Sequence, residues 1–274
     1  MNPVSLILAP ILGVGAVVFS MHGQGGGVLY TPIQLLFGIP IHVAAVQSLC
    51  FTILTTLSAV LLFHKERHVD WKLSAVLESS SFAGAFGGGY AARLFPPEAL
   101  AGGLAVLLAA SAFAMLFDLH PRASASGGSA RLEWVRRQAG QTYRIHLGKG
   151  LPLSLLIGIT SGLTGVAGGF LKIPMLVRLF GVPIKVAFGS SAFMASLTAS
   201  GGLLGHVLAK DAVQWQDPLL LGACVLAGAQ IGPRIAVHSK PETLRRRFSA
   251  YLFAMALLVV GSLWFSLFEV GSRT

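Results

Sequence analysis

Charge is scarce in this chain. Only 11% of its residues are Asp, Glu, Lys or Arg, while 54% are hydrophobic, and a soluble domain carries about 25% charged residues. No single soluble core could hide that much apolar surface. Cysteine is scarcer still. Cys50 and Cys224 both fall inside apolar stretches, which argues against a disulfide framework and leaves packing as their role. The chain lacks HExxH, GxSxG and any Cys/His set with metal spacing, and its glycine runs have no Gly-Lys-Ser/Thr ending. Catalytic, metal and P-loop readings therefore have little support, and no cofactor is expected. Met1-Asn2-Pro3 has no basic n-region, so the first apolar stretch is expected to stay in the mature protein.

What the chain has is length of apolar run. Val43–Phe63, Leu73–Ala92, Ala99–Phe117 and Phe248–Phe268 each approach the roughly 20 residues that cross a bilayer. The net charge of +10 raises the question of nucleic acid. The basic residues cluster in loops between apolar spans, which is the pattern of a membrane protein's cytoplasmic side. A lipid bilayer, not nucleic acid, is the expected surroundings.

The chain also repeats itself. Gly23-Gln24-Gly25-Gly26-Gly27-Val28-Leu29-Tyr30-Thr31-Pro32 returns as Gly165-Val166-Ala167-Gly168-Gly169-Phe170-Leu171-Lys172-Ile173-Pro174, and Gly38-Ile39-Pro40 returns as Gly181-Val182-Pro183. Further on, Gln47-Ser48 aligns with Ser190-Ser191, Val69-Asp70-Trp71 with Val213-Gln214-Trp215, Gly84 with Gly228, and Pro97–Leu100 with Pro241–Leu244. The spacing between copies drifts only from 142 to 144. This is an internal duplication. It divides the chain into a first membrane repeat (1–117), a basic cytoplasmic linker (118–149) and a second membrane repeat (150–274).

Residues 3–38 taken as one straight helix would run about 54 Å at 1.5 Å per residue, too long for a core of about 30 Å. A hairpin tipped by the glycine cluster fits better, with Pro32 in the first turn of its second arm, where proline is welcome. In the linker, Ser124–Ser129 reads as flexible. Arg131, Arg136, Arg137, Arg144 and Lys149, with Trp134 and Tyr143 between them, suit either a peptide on an anionic leaflet or a plain basic tether.

Basic residues swap loops between the copies. Lys65, Arg67 and Lys72 mark loop 64–72 of the first copy, whereas Arg234, Lys240, Arg245, Arg246 and Arg247 mark loop 234–247 of the second. The two copies are therefore expected to face opposite ways. The fold class is an all-α polytopic membrane protein built from two inverted-topology repeats of about five helical elements each, the first two forming a glycine-tipped hairpin. A multi-pass membrane location follows, and the two hairpin tips are expected to meet at depth.

Glycine clusters leave backbone N–H groups uncovered, and in a membrane such backbone survives only where it is buried in protein or lines a cavity. A helix N-terminus offers free donors and partial positive charge. Two converging termini favour an anion, which makes Gly23, Gln24, Gly25, Gly26, Gly27, Gly165, Gly168 and Gly169 candidate substrate contacts. Gln47, Ser48, Ser190 and Ser191 begin long spans at matched places, and are candidates either for a ligand or for interhelical hydrogen bonds. Glu78 and Lys172 are the two formal charges clearly inside apolar spans. Lys172 is a candidate substrate contact or an interfacial snorkelling side chain; Glu78 is a possible coupling group or a structural partner of a basic group. His22 and Gln230 are weaker candidates, His206 reads as interfacial, and Gly84, Gly87, Gly88, Gly89, Gly228 and Gly232 read as helix-packing positions.

The two Gly-rich segments with their Gly-x-Pro turns resemble the TauE/SafE sulfite exporter family, and the resemblance covers both halves, leaving only the linker unmatched. It implies a transporter, not an enzyme, for sulfite, sulfonates or related organosulfonates such as sulfoacetate across the bacterial inner membrane. It fixes neither direction nor exact substrate. A secondary transporter working by alternating access is the leading expectation. A passive anion channel is the alternative, and an intramembrane enzyme the weakest.

Overall fold

Glycine breaks and Gly-x-Pro turns punctuate the helices of this chain in the same way in both halves. The computed structural model describes residues 3–96, 133–209 and 218–244, together with scattered positions between 99 and 106 and between 246 and 257. In the first half, α1 (Pro3–Met21) ends at the first glycine cluster, α2 (Gly27–Leu36) restarts beyond it, and α3 (Ile41–Lys65) and α4 (Trp71–Ala91) follow. In the second half, α5 (Leu147–Thr164) ends at the second cluster. There α6 (Gly169–Pro174) restarts and runs into a wide π turn, Met175–Leu179, before α7 (Ile184–Leu208) and α8 (Pro218–His238). Most of the expected spans Ala99–Phe117 and Phe248–Phe268 lies outside the described residues, as does the Ser124–Ser129 stretch.

Five of these helices are long and apolar enough to cross a membrane: α1, α3, α5, α7 and α8. The protein is a multi-pass, helical membrane protein. Their exposed positions include Leu57, Leu61, Leu204 and Leu219, all at least half exposed.

The glycines carry the breaks through their backbone. Gly23, Gly26 and Gly38 have φ of 66°, 85° and 76°, and the matched Gly165, Gly168 and Gly181 have 73°, 66° and 66°. Side chains are disfavoured in that left-handed region. Pro40 and Pro183 then cap α3 and α7 with nearly the same dihedrals.

The prolines behave differently from the sequence expectation. Pro32 is not in the first turn of its helix; α2 begins at Gly27 and Pro32 lies in its interior. Pro174 ends α6 at the matched place, and the chain widens directly into the π turn. A proline has no N–H to return to the carbonyl four residues back, so both short helices carry a weakened ladder just past their start.

The two halves interlock. Helix α1 packs along α8, α4 packs along both α5 and α7, and α3 packs against α7 and α8. Exchanging the copies maps these pairings onto one another. Close approach depends on glycine: a Cβ on Gly84 or Gly88 would overlap α5 backbone at Leu155 and Ile159, and one on Gly228 or Gly232 would overlap α1 backbone at Gly13 and Val17. Gly87 differs from the expectation, since a Cβ there meets nothing within 4 Å.

The basic segment before α5 is folded. Strands β1 (Glu133–Gln138) and β2 (Gln141–His146) pair antiparallel from Glu133↔His146 to Gln138↔Gln141. The turn is Ala139-Gly140, both with positive φ, the geometry of a tight two-residue hairpin. Tyr143 and Ile145 are buried in a cluster with Leu73, Leu77 and Phe180. Arg136 donates to both oxygens of Asp70 at 2.6 and 3.1 Å, and the Tyr143 hydroxyl donates to Asp70 at 2.5 Å. Asp70 also caps α4 through the Leu73 amide, and its own N–H donates to Ser190 Oγ at 2.9 Å. One carboxylate thus ties the hairpin to the start of α4, and its backbone to the start of α7.

Candidate functional site

The two glycine breaks meet. The backbone of Gln24 lies against Gly169, so that a Cβ placed there would fall 2.9 Å from the Gln24 Cα. Gly27 lies against the carbonyl of Gly165 and the Cα of Val166, with Thr52 Oγ1 beside it. Gly23 packs on the Phe188 carbonyl and the Ala192 amide, on either side of Ser190 and Ser191, and Gly165 packs on Ala45, just before Gln47. The starts of α3 and α7 therefore close the junction that the two breaks form. Residues 21–34 and 164–170 are buried throughout, so the junction is shut off from solvent in this conformation.

Local hydrogen bonding explains the shape. Helix α1 closes with the Gln24 amide donating to the Phe19 carbonyl at 3.1 Å across the left-handed Gly23, a Schellman-type ending. Gly26 then turns the chain, and its carbonyl accepts from the Leu29 and Tyr30 amides; Gly168 does the same for Leu171 and Lys172. The amides of Gly27 and Val28 precede the first intrahelical bond of α2 and point out of its positive end.

The junction holds polar groups with nothing to bond. Gln24 is 1% exposed, and neither atom of its side-chain amide has a partner. Ser191 Oγ, Thr52 Oγ1 and Thr31 Oγ1 are buried without partners as well. Each such group costs on the order of 1–3 kcal/mol if left unsatisfied, and native structures carry few of them. Two of these groups, Gln24 and Thr52, lie where the two helix breaks meet.

Other candidates are engaged elsewhere. Ser48 accepts from the Gln34 side chain at 3.0 Å, and Ser190 accepts from the Asp70 amide. Gln47 is buried on α3. Lys172 does not snorkel to an interface. It is fully buried, its ammonium donates to Glu78 at 2.7 Å and to the Met194 carbonyl at 3.3 Å, and it also donates to Thr198, which in turn bonds Glu78. The two charges read separately from the sequence are each other's partners. His206 is buried, not interfacial, and bonds the Gly162 carbonyl. Gln230 bonds Ser58 on the outer surface, away from the junction.

Sequence reasoning missed Thr31, Thr52, Thr198 and Tyr30. A signal for two of them was present: Tyr30 bonds Thr55 at 3.2 Å, and these residues align with Lys172 and Thr198 at the spacing of the repeat. A surface cavity of about 480 Å³ is lined by Glu242, Thr243, Arg246, Arg247 and Ala250.

Comparison with known proteins agrees with this architecture. The family model described as sulfite exporter TauE/SafE matches residues 7–259. A probable membrane transporter protein of Bacillus subtilis, YunE, is 25% identical over 94% of this chain and 96% of its own length. One from Methanocaldococcus jannaschii is 24% identical over 94% of this chain and 95% of its own, and one from a Sinorhizobium species is 28% identical over 85% and 84%. No solved structure matches. Helical spans, paired glycine breaks and a match across nearly the whole chain lead to one conclusion: this protein is a membrane transporter and belongs to the TauE/SafE sulfite exporter family.

Proposed function

We propose that the chain is a secondary transporter of a small sulfur-containing anion (sulfite, a sulfonate or an organosulfonate such as sulfoacetate) in the bacterial inner membrane, working by alternating access. The observation that carries this reading is the buried, partnerless side chain of Gln24 at the contact of the two glycine breaks. The Gln24 amide, the hydroxyls of Ser191, Thr52 and Thr31, and the amides of Gly27 and Val28 at the positive end of α2 offer a cluster of donors to oxyanion oxygens. Gly23, Gly25, Gly26, Gly165, Gly168 and Gly169 let the backbones approach, while Gln47, Ser48 and Ser190 frame the site. Lys172 lies one turn along α6, its ammonium paired with Glu78.

The swap of basic loops between copies, 64–72 against 234–247, supports an inverted arrangement of the halves, and the exchange of helix pairings supports a two-fold relation between them. The burial of both breaks supports a carrier that occludes its cargo over an open channel. Flux of labelled sulfite and sulfoacetate into proteoliposomes tests the reading. Saturable flux with counterflow is expected. A folded protein that moves none of these anions would overturn it.

A further inference from the structure

One buried titratable side chain beside the junction takes no part in the reading above. His22 is the residue before Gly23 and is 1% exposed. Its Nδ1 lies 2.8 Å from the Val18 carbonyl. A carbonyl can only accept, so Nδ1 carries the hydrogen and the neutral ring presents a lone pair at Nε2. That atom is buried and has no partner. The Tyr251 ring stacks on the imidazole at 5.7 Å and 11°, and its own hydroxyl is likewise buried and partnerless. Phe188 of α7 meets the ring edge-on at 5.3 Å, and Phe248 tilts over it at the same distance.

Among the described residues, the titratable and charged groups toward this niche come from two elements. Tyr251 and Arg247 face it from the C-terminal segment, and Tyr30 lies beyond Phe19 on α2. Helices α1 and α7 present Phe19 and Phe188.

We propose that Nε2 of His22 is the binding site of a proton that enters with the anion, so that transport is proton-coupled. The inference rests on the junction being the anion site. A buried anion needs a countercharge, and the ammonium of Lys172 is already engaged by Glu78. A proton on Nε2 creates an imidazolium one residue from Gly23 of the first glycine break, and no bond within the protein has to break to accept it. Anion and proton then stabilise each other, and by linkage each raises the other's affinity equally.

Sulfoacetate is fully ionised above pH 6, so it takes up no proton of its own. Calorimetric titration of the solubilised protein with sulfoacetate at pH 7, in two buffers of different ionisation enthalpy, counts protons taken up per anion. About one is expected for the native chain and none for His22→Gln. Binding without proton uptake by the native chain overturns the inference while leaving the anion site standing, and it needs no variant. Undiminished uptake by His22→Gln also overturns it, by moving the proton to another group such as Glu78. Absence of binding to sulfoacetate, sulfite and thiosulfate alike defeats the anion site and this inference together.

Discussion

Nζ of Lys172 lies 2.7 Å from Oε2 of Glu78, 94 residues earlier in the chain, and both side chains are buried. The pair joins α6, just beyond one glycine break, to α4 of the other half, and Thr198 of α7 bonds both partners. The same positions of the first half hold Tyr30 and Thr55, a neutral pair 3.2 Å apart, and the residue matched to Glu78 is Gly222. The duplication keeps the contact and varies its charge.

Removing one partner leaves an uncompensated charge away from water, which costs about 3–5 kcal/mol. Lys172→Met and Glu78→Leu are each expected to lower thermal stability strongly in detergent. The double variant is expected to lie nearer the native protein than either single one, because two apolar groups need no countercharge. Single variants as stable as the native chain would show that the pair is not closed in the membrane-embedded protein.

The glycines of the break should differ from those of the turn. Gly23→Ala and Gly38→Ala each force a side chain into the left-handed region, at about 1–2 kcal/mol. At Gly38 the new methyl meets nothing within 4 Å, whereas at Gly23 it overlaps the Phe188 carbonyl. Proteoliposome flux should survive the first change and fail with the second. Equal flux in the two variants would disprove the tight apposition of Gly23 and α7.

The junction donors should act on affinity more than on stability. Gln24→Ala and Ser191→Ala remove buried groups that have no protein partner, so melting temperature without ligand should hold or rise. Sulfite or sulfoacetate affinity should fall about two- to tenfold each, from a net 0.5–1.5 kcal/mol per hydrogen bond. The concentration dependence of thermal stabilisation by ligand measures this. Unchanged affinity in both variants would remove these side chains from the site.

Asp70 gives the hairpin an acid limit. Burial alone would raise its carboxyl, but hydrogen bonds from Arg136, Tyr143 and the Leu73 amide, with the Arg136 charge, hold it below the ordinary range. A carboxylate whose folded pKa is depressed stabilises fully above its unfolded value near 4, and the contribution is lost as pH falls through the folded value. Docking of the hairpin should therefore be constant from pH 5 to 8 and weaken below about pH 4. In Asp70→Asn the docking should be weaker at neutral pH and insensitive to acid over that range. Tryptic cleavage near Arg136 and Arg137, read after brief acid exposure, follows it. An Asp70→Asn protein with native protection at neutral pH would rule out the latch.

The amino-acid sequence by itself determined the membrane class, the helix breaks and the duplication. Hydropathy and glycine act locally: an apolar run of sufficient length seeks lipid, and a left-handed turn needs a residue without a side chain wherever it lies. That is why Gly23, Gly26 and Gly38 and their matches could be found before any coordinates. Tertiary structure decided what met what. The pairing of Lys172 with Glu78, the docking of Arg136 and Tyr143 on Asp70, and the contact of Gln24 with Gly169 are between residues 66 or more positions apart. No local preference encodes such contacts, because each arises only once helices from both halves have packed. Pro32 and His206 were misplaced for the same reason. Where a helix starts and which side of it faces protein depend on neighbours that lie elsewhere in the chain.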